Sequence, residues 1–390
     1  MSRPSRRGLL AGGTALLAAP GLAPGLAWAQ AAPLRIGLIL PMTGPFASTG
    51  RQVDAAVRAW LRTNGEVQGG HRLEILLRDD GGVQPDTTRR LAQELAVRDK
   101  VKVLAGFGLT PLALASAPIA TEAKLPMVVM AAATAIIPQR SPYIVRTSFT
   151  LPQVTAPIAE WAARNGIRSA ASLVTDFAPG HDAEGVFKAR FAAAGGRMAL
   201  ELRSPLRNPD YAPFLQRVKD AKPDALFIFC PSGEGAAIMK QFQERGLKEA
   251  GIKLIGTGDV MDDDILASFG PDALGTITSH HYSAAHDSAE NAAFTSAFRA
   301  VAPTMRPNFM AVGGWDGMTL VAEAVKAARD TDGDTLLAAM KGRSWTSPRG
   351  PVTIAAETRD ITQDVYIRRV ESQGGQLWNL EFDRVAQVPA

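Results

Sequence analysis

Short β-branched apolar runs alternate with amphipathic stretches of helical period along most of this chain, and the alternation runs through one order twice. In the first pass, 34–40, 71–78, 101–106 and 127–130 read as strands. Helices are expected between them over 50–64, 86–99 and 111–122, with Asp86 as an N-cap. In the second pass, strands at 169–175, 198–203, 225–230 and 253–256 are separated by helices over 181–194, 211–221 and 235–245. Such alternation requires right-handed crossovers and a parallel sheet covered by helices on both faces. The chain therefore reads as α/β, with two similar lobes. Residues 275–390 are too short and irregular for a third. They offer a strand at 275–280, helices at 289–302 and 317–329, and strand-like segments at 352–354 and 365–370. The economical reading returns them to complete both lobes. It places 30–148 in the first lobe, 149–280 in the second, 281–345 back in the first, and 346–390 back in the second with the C-terminal tail. Several crossovers between two rigid bodies make a hinge, and the whole a clamp.

Residues 1–29 read as an export signal. Arg6-Arg7 precede a weakly apolar stretch that ends on Ala27-Trp28-Ala29, the small-residue pattern of a signal-peptidase site, and the arginine pair points to the twin-arginine route. The glycines and prolines at 12, 13, 20, 21, 24 and 25 argue against a membrane-spanning helix. No cysteine follows for a lipid anchor. The expected product is a monomer in the periplasm. Of 42 basic residues three lie in that segment, which leaves 39 against 38 acidic, so no basic field remains to hold nucleic acid. The single cysteine, Cys230, can form no internal disulfide and follows a buried-strand pattern, so it reads as a small core residue.

Ligands of open α/β sheets sit beyond the carboxyl ends of the strands, which directs attention to the loops there. After the first strand comes 41–50, where Ser48 or Thr49 could cap the next helix. After the third comes Phe107-Gly108-Leu109-Thr110-Pro111, with Thr110 as N-cap and Pro111 at the first helical position. Helix amides and a hydroxyl together suit a carboxylate. After the fourth comes Ala131-Ala132-Ala133-Thr134, small residues that let a ligand reach the backbone. Capping alone would also explain Thr110 and Thr134. The second lobe answers with Phe177 as an apolar face, His181 and Asp259 as polar contacts, and Pro231-Ser232. Asp262-Asp263-Asp264 reads as a helix start on a solvated face. His280-His281-Tyr282 with His286 lacks the spacing of a zinc site, so no metal and no cofactor is expected. There is no G-x-S-x-G elbow, no Walker loop and no H-E-x-x-H. Gly256-Thr257-Gly258 begins like a dinucleotide fingerprint but meets Met261 where glycine belongs. No enzyme is indicated.

Three segments carry a family likeness: 34–50 (LRIGLILPMTGPFASTG), 103–126 (VLAGFGLTPLALASAPIATEAKLP) and 131–147 (AAATAIIPQRSPYIVRT). They resemble the leucine/isoleucine/valine-binding branch of the type I periplasmic binding proteins, the substrate-binding components of ABC importers. The resemblance implies two Rossmann-like lobes, three hinge crossovers, closure around a small ligand and delivery to an inner-membrane ABC permease. It places the ligand carboxylate at Thr110 and Ala133-Thr134. Departures concern the amino group: Thr49 stands where a tyrosine is common, Pro179-Gly180 where Tyr-Gly is common, and Gly258 where the ammonium's acid would fall, with Asp259 adjacent. A small carboxylate ligand is implied, with a branched-chain amino acid and an aromatic or aliphatic acid both open. A clamp that signals to a receptor is the other functional class.

Overall fold

The computed structural model describes residues 32–390. The expected export segment lies outside the described residues. The first sheet is built from β1 (Ala32–Leu40), α1 (Ala47–Asn64), β2 (Val67–Gln68), β3 (His71–Asp79), α2 (Pro85–Val97), β4 (Val103–Gly106), α3 (Thr110–Glu122), β5 (Met127–Val129) and β6 (Ile144–Arg146). Its order is β2-β3-β1-β4-β5-β6, parallel except for the short β2–β3 pairing. The second follows from α4 (Leu151–Arg164), β7 (Ser169–Thr175), α5 (Ala178–Ala193), β8 (Arg197–Ser204), α6 (Ala212–Ala221), β9 (Ala225–Phe229), α7 (Gly235–Glu244), β10 (Lys253–Thr257) and β11 (Ile277–His280). Then come α8 (Ala289–Val301), α9 (Phe309–Ala327), α10 (Gly333–Met340), β12 (Ser344–Ser347), β13 (Gly350–Ile354), β14 (Ile361–Gln373) and β15 (Gln376–Val388). The strands of this last group join the second sheet, which has nine strands among the described residues.

Every residue of β4, β7 and β9 is buried, as a strand covered on both faces demands, and β4 and β9 are continuous apolar runs. α1 buries Val53, Ala56, Val57 and Trp60, one stripe at helical spacing. α8 and α9 pack on α1, so this late chain lies against the first sheet.

Several elements differ from the sequence reading. α9 begins at Phe309, well before the expected 317, capped by Asn308, whose side chain accepts from the N–H groups of Met310 and Ala311. Gly313-Gly314 looks like a breaker, yet a Cβ on Gly313 would lie 2.2 Å from the Met130 carbonyl oxygen. The glycine lets the helix lie flush on the end of β5. α4 and α10 were not foreseen. In α4 the prolines Pro152 and Pro157 mask the pattern, while Thr150 and Gln153 form a reciprocal capping box. The strand-like pieces at 352–354 and 365–370 are parts of an antiparallel set, β12 to β15, with a long β14–β15 hairpin. Asp86 does not cap: α2 starts on Pro85 with Gln84 before it.

The segments that cross between the sheets are tied by one buried pair. The Arg349 guanidinium donates to Asp316 of α9 at 2.6 and 2.9 Å, to the Thr147 and Ser148 carbonyls at 2.5 and 3.0 Å, and to Gln363 of β14 at 2.8 Å. Burial lowers the Arg349 pKa, and Asp316 opposes that shift.

Candidate ligand cleft

Loops from the carboxyl ends of β1, β4 and β5 meet loops from β7, β9 and β10 around a small cavity of about 40 Å³. It adjoins an outer chamber of about 440 Å³ with which it shares Phe46, Leu109 and Phe177. The inner cavity brings together Thr49, Gly108, Leu109, Thr110, Ala131, Ala132, Ala133, Phe177, Pro231, Ser232 and Asp259 from the residues singled out in the sequence. Phe46 and Pro179 line it from loops the sequence had singled out, and Phe149, Leu151, Phe229 and Met310 line it without having been foreseen. Their apolar side chains look like ordinary core in a one-dimensional pattern.

The first-lobe wall is largely backbone. Phe107 does not line the cavity. It is fully buried in the core and holds a left-handed φ of 66°, rare for an aromatic residue. Its N–H bonds to the Ile39 carbonyl and its carbonyl accepts from Ala132 N–H, which fixes the turn that exposes Gly108 to Thr110. Neither threonine caps a helix. Thr110 is the first residue of α3, with Leu109 at the N-cap position, and its hydroxyl bonds to that of Thr134 at 2.8 Å. Thr134 therefore stands behind Thr110 and does not line the cavity. Ser48 and Thr49 lie inside α1, which begins at Ala47. Ser48 instead donates to Asp264 of the other lobe at 2.7 Å.

Arg146, which the sequence reading missed, braces this wall. Fully buried, it pairs with Asp360 at 2.8 Å and donates to the carbonyls of Thr134 at 2.9 Å and Phe149 at 3.1 Å. Its contact with the Ala132 carbonyl is longer, 3.4 Å, and the Ser148 hydroxyl adds a 3.0 Å bond to the same oxygen. A trans peptide points its N–H opposite to its carbonyl, so the Ala133 N–H is directed away from Arg146 on a residue that lines the cavity. Burial lowers the Arg146 pKa and raises that of Asp360, and each charge opposes the other's shift.

The second-lobe wall is made of side chains. Phe177 and Phe229 stack with centroids 6.0 Å apart. Asp259, 4% exposed, is the single charged side chain lining the cavity among the described residues, and Thr257 donates to its Oδ2 at 2.9 Å. Gly258 does not face the ligand space: a Cβ there would meet Arg368 Nη2 at 2.1 Å and His280 at 2.4 Å. His181 does not line the cavity either; it lies half-exposed in α5, bonded to Asp176 at 2.7 Å. Its neighbour Asp182 makes the useful contact, accepting from Ala135 N–H across the lobes at 3.1 Å, and burial raises its pKa.

The acidic run is no solvated face. Asp262 and Asp263 are buried, Asp262 bonded by Asn308 at 2.9 Å and by Ser232, Asp263 by Asn379 at 2.9 Å. Burial, with the charge of Asp264 added, pushes the Asp262 carboxyl well above its ordinary range. His280 and His281 are buried in an aromatic stack with Phe149 and Phe309. Among the described residues no group of three or more His, Cys, Asp or Glu is placed to hold a metal ion. Cys230 is buried behind Pro231.

Comparison with known proteins agrees with this geometry. The family described as "Periplasmic binding protein" matches residues 33–376. The chain is 40% identical over 353 residues to the Leu/Ile/Val-binding protein homolog 6 of Brucella abortus (strain 2308), covering 90% of each. A solute-binding protein of an ABC transporter from Rhodopseudomonas palustris BisB5, solved with 3,4-dihydroxybenzoic acid, is 57% identical with a TM-score of 0.89, over 91% of this chain and 98% of that one. Another from R. palustris, solved with 4-hydroxybenzoate, is 41% identical with the same TM-score and coverage. Sequence, fold and cleft converge: this chain belongs to the periplasmic binding protein family, as an ABC transporter solute-binding protein of the type I fold.

Proposed function

We propose that the protein captures a small aromatic carboxylate in the cleft and hands it, as a periplasmic monomer freed of residues 1–29, to an inner-membrane ABC permease. The observation that carries this reading is the division of the cavity. One wall offers a hydroxyl and backbone amides, Thr110 and the Ala133 N–H, and the rest is rings and apolar side chains: Phe46, Phe149, Phe177, Phe229, Leu151 and Met310. Among the described residues no lysine or arginine lines it. A carboxylate is then held by neutral donors at a helix start, while a flat ring fills the space between phenyl faces. The relatives solved with hydroxybenzoates support the same ligand class. Contacts from both lobes to one ligand bias the clamp towards closure, because a ligand touching one lobe alone has no differential affinity for the closed state.

A branched-chain amino acid is the second reading. Asp259 in the cavity could meet an ammonium, and the Brucella relatives carry a Leu/Ile/Val-binding name. Calorimetry on protein stripped of ligand by unfolding and refolded decides between them. Benzoate and hydroxybenzoates are expected to bind tightly and leucine, isoleucine and valine weakly. Tight leucine binding with no response to the aromatic acids would overturn the aromatic reading.

A further inference from the structure

We propose that Asp259 recognises a hydroxyl group on the ring of the bound carboxylate, and that His280 is the positioning residue that orients Asp259 for this. The inference rests on the aromatic-carboxylate reading and specifies the ring that the site selects.

The two oxygens of Asp259 are unequal. Oδ2 takes the Thr257 hydroxyl at 2.9 Å, and His280 Nε2 lies 3.5 Å from the same atom, longer than a formed hydrogen bond. His280 Nδ1 accepts the His281 N–H at 3.0 Å, so in the neutral ring the proton sits on Nε2, towards Asp259. Burial against Phe149 and Phe309, with centroids 4.7 and 4.2 Å away, pushes the His280 pKa down to about 4, which keeps that tautomer at neutral pH. Both potential donors therefore lie at Oδ2, and no protein group among the described residues donates to Oδ1. A carboxylate oxygen in a largely buried site calls for a donor, and Asp259 lines the ligand cavity.

Two ligand groups could donate, a ring hydroxyl or an ammonium. The surroundings favour the neutral one. Apart from Asp259 the cavity lining is largely apolar, with the rings of Phe46, Phe149, Phe177 and Phe229 around it. An ammonium would have to shed its hydration among those rings, whereas a ring hydroxyl costs far less to bury. An unsubstituted ring leaves Oδ1 without a partner. The site therefore discriminates by the penalty of an unmet polar group, the strongest form of selection between close analogues.

The test is calorimetry of the full-length protein with benzoate, 4-hydroxybenzoate and leucine, on the wild type and three variants whose folding is checked by melting. The wild type is expected to prefer 4-hydroxybenzoate over benzoate by about tenfold or more. Asp259→Asn is expected to weaken 4-hydroxybenzoate by about tenfold and benzoate by less than about threefold. His280→Phe keeps the aromatic stack without the donor and is expected to reduce the preference, and His280→Gln, which restores an N–H at similar reach, to recover it. Equal wild-type affinity for the two benzoates overturns the inference and leaves the aromatic reading standing, as does equal weakening of both by Asp259→Asn. Leucine binding in the absence of any aromatic binding overturns the aromatic reading itself. A His280→Gln variant that fails to recover the preference removes His280 from the assignment. If His280→Phe does not fold, the Asp259→Asn ratio still decides the role of Asp259.

Discussion

The two walls of the cleft are built by different means. The first-lobe wall is largely backbone, with Gly108, Leu109 and Ala131 to Ala133 lining it beside Phe46 and Thr110 adding one hydroxyl. The second-lobe wall is side chain, with Phe177, Phe229 and Pro231 supplying faces and Asp259 a charge. A backbone wall needs an external brace, which buried Arg146 provides; a side-chain wall is held by its own packing. The first wall suits what every ligand of this class shares, and the second can vary with the ligand. Changes to the brace are therefore expected to damage the whole protein, and changes to the second wall to alter choice.

The largest effect is expected from Arg146→Met. It strands Asp360, 6% exposed, and frees the 131–134 loop, with a loss of about 3–5 kcal/mol of stability in denaturant melts. A loss below about 1 kcal/mol would mean that the loop needs no brace. Thr110→Val removes the hydroxyl and is expected to weaken every carboxylate ligand by about 1–3 kcal/mol in calorimetry. Unchanged affinity would move the carboxylate away from Thr110. Phe177→Ala is expected to cost an aromatic ligand about 0.5–1.5 kcal/mol beyond lost area, and an aliphatic one less. Equal losses would deny the second wall its selective role.

The smallest effect belongs to neither wall. His286, in the crossover after β11, bonds to Glu381 of β15 at 2.7 Å. Burial alone would lower its pKa, but the hydrogen bond and charge of Glu381 prevail and the pKa is raised. A group whose folded pKa is raised adds stability that is full below its unfolded value, about 6.5, and is lost as pH rises through the folded value. Melting between pH 5 and pH 9 should show this slope flattened in His286→Ala. An unaltered profile would place the pH response elsewhere.

Much of the central architecture was legible because it is local. The parallel strand at 225–229 is apolar at every position, and the loops at the carboxyl ends of such strands follow from the fold. What could not be read was long-range. Gly313-Gly314 is a breaker by propensity and a helix interior by packing, because the glycine is needed where α9 meets β5. Thr110 and Thr134 have the composition of caps, yet their hydroxyls bond to each other across 24 positions. Asp262 and Asp263 look solvated until Asn308 and Asn379 arrive from distant segments to receive them.

The sequence by itself determined the two-fold α/β alternation, the loops that reach the cleft and the family likeness, since periodicity and turn chemistry act over a few residues. Only the tertiary structure decided which side chain of each loop faces the cavity. That is why Asp259 lines it while Gly258 packs on Arg368, and why Phe107 turns into the core. Side-chain direction at the end of a strand depends on what packs behind it. Those partners include Asp360 behind one wall, through Arg146, and Arg368 behind the other, which lie far away along the chain.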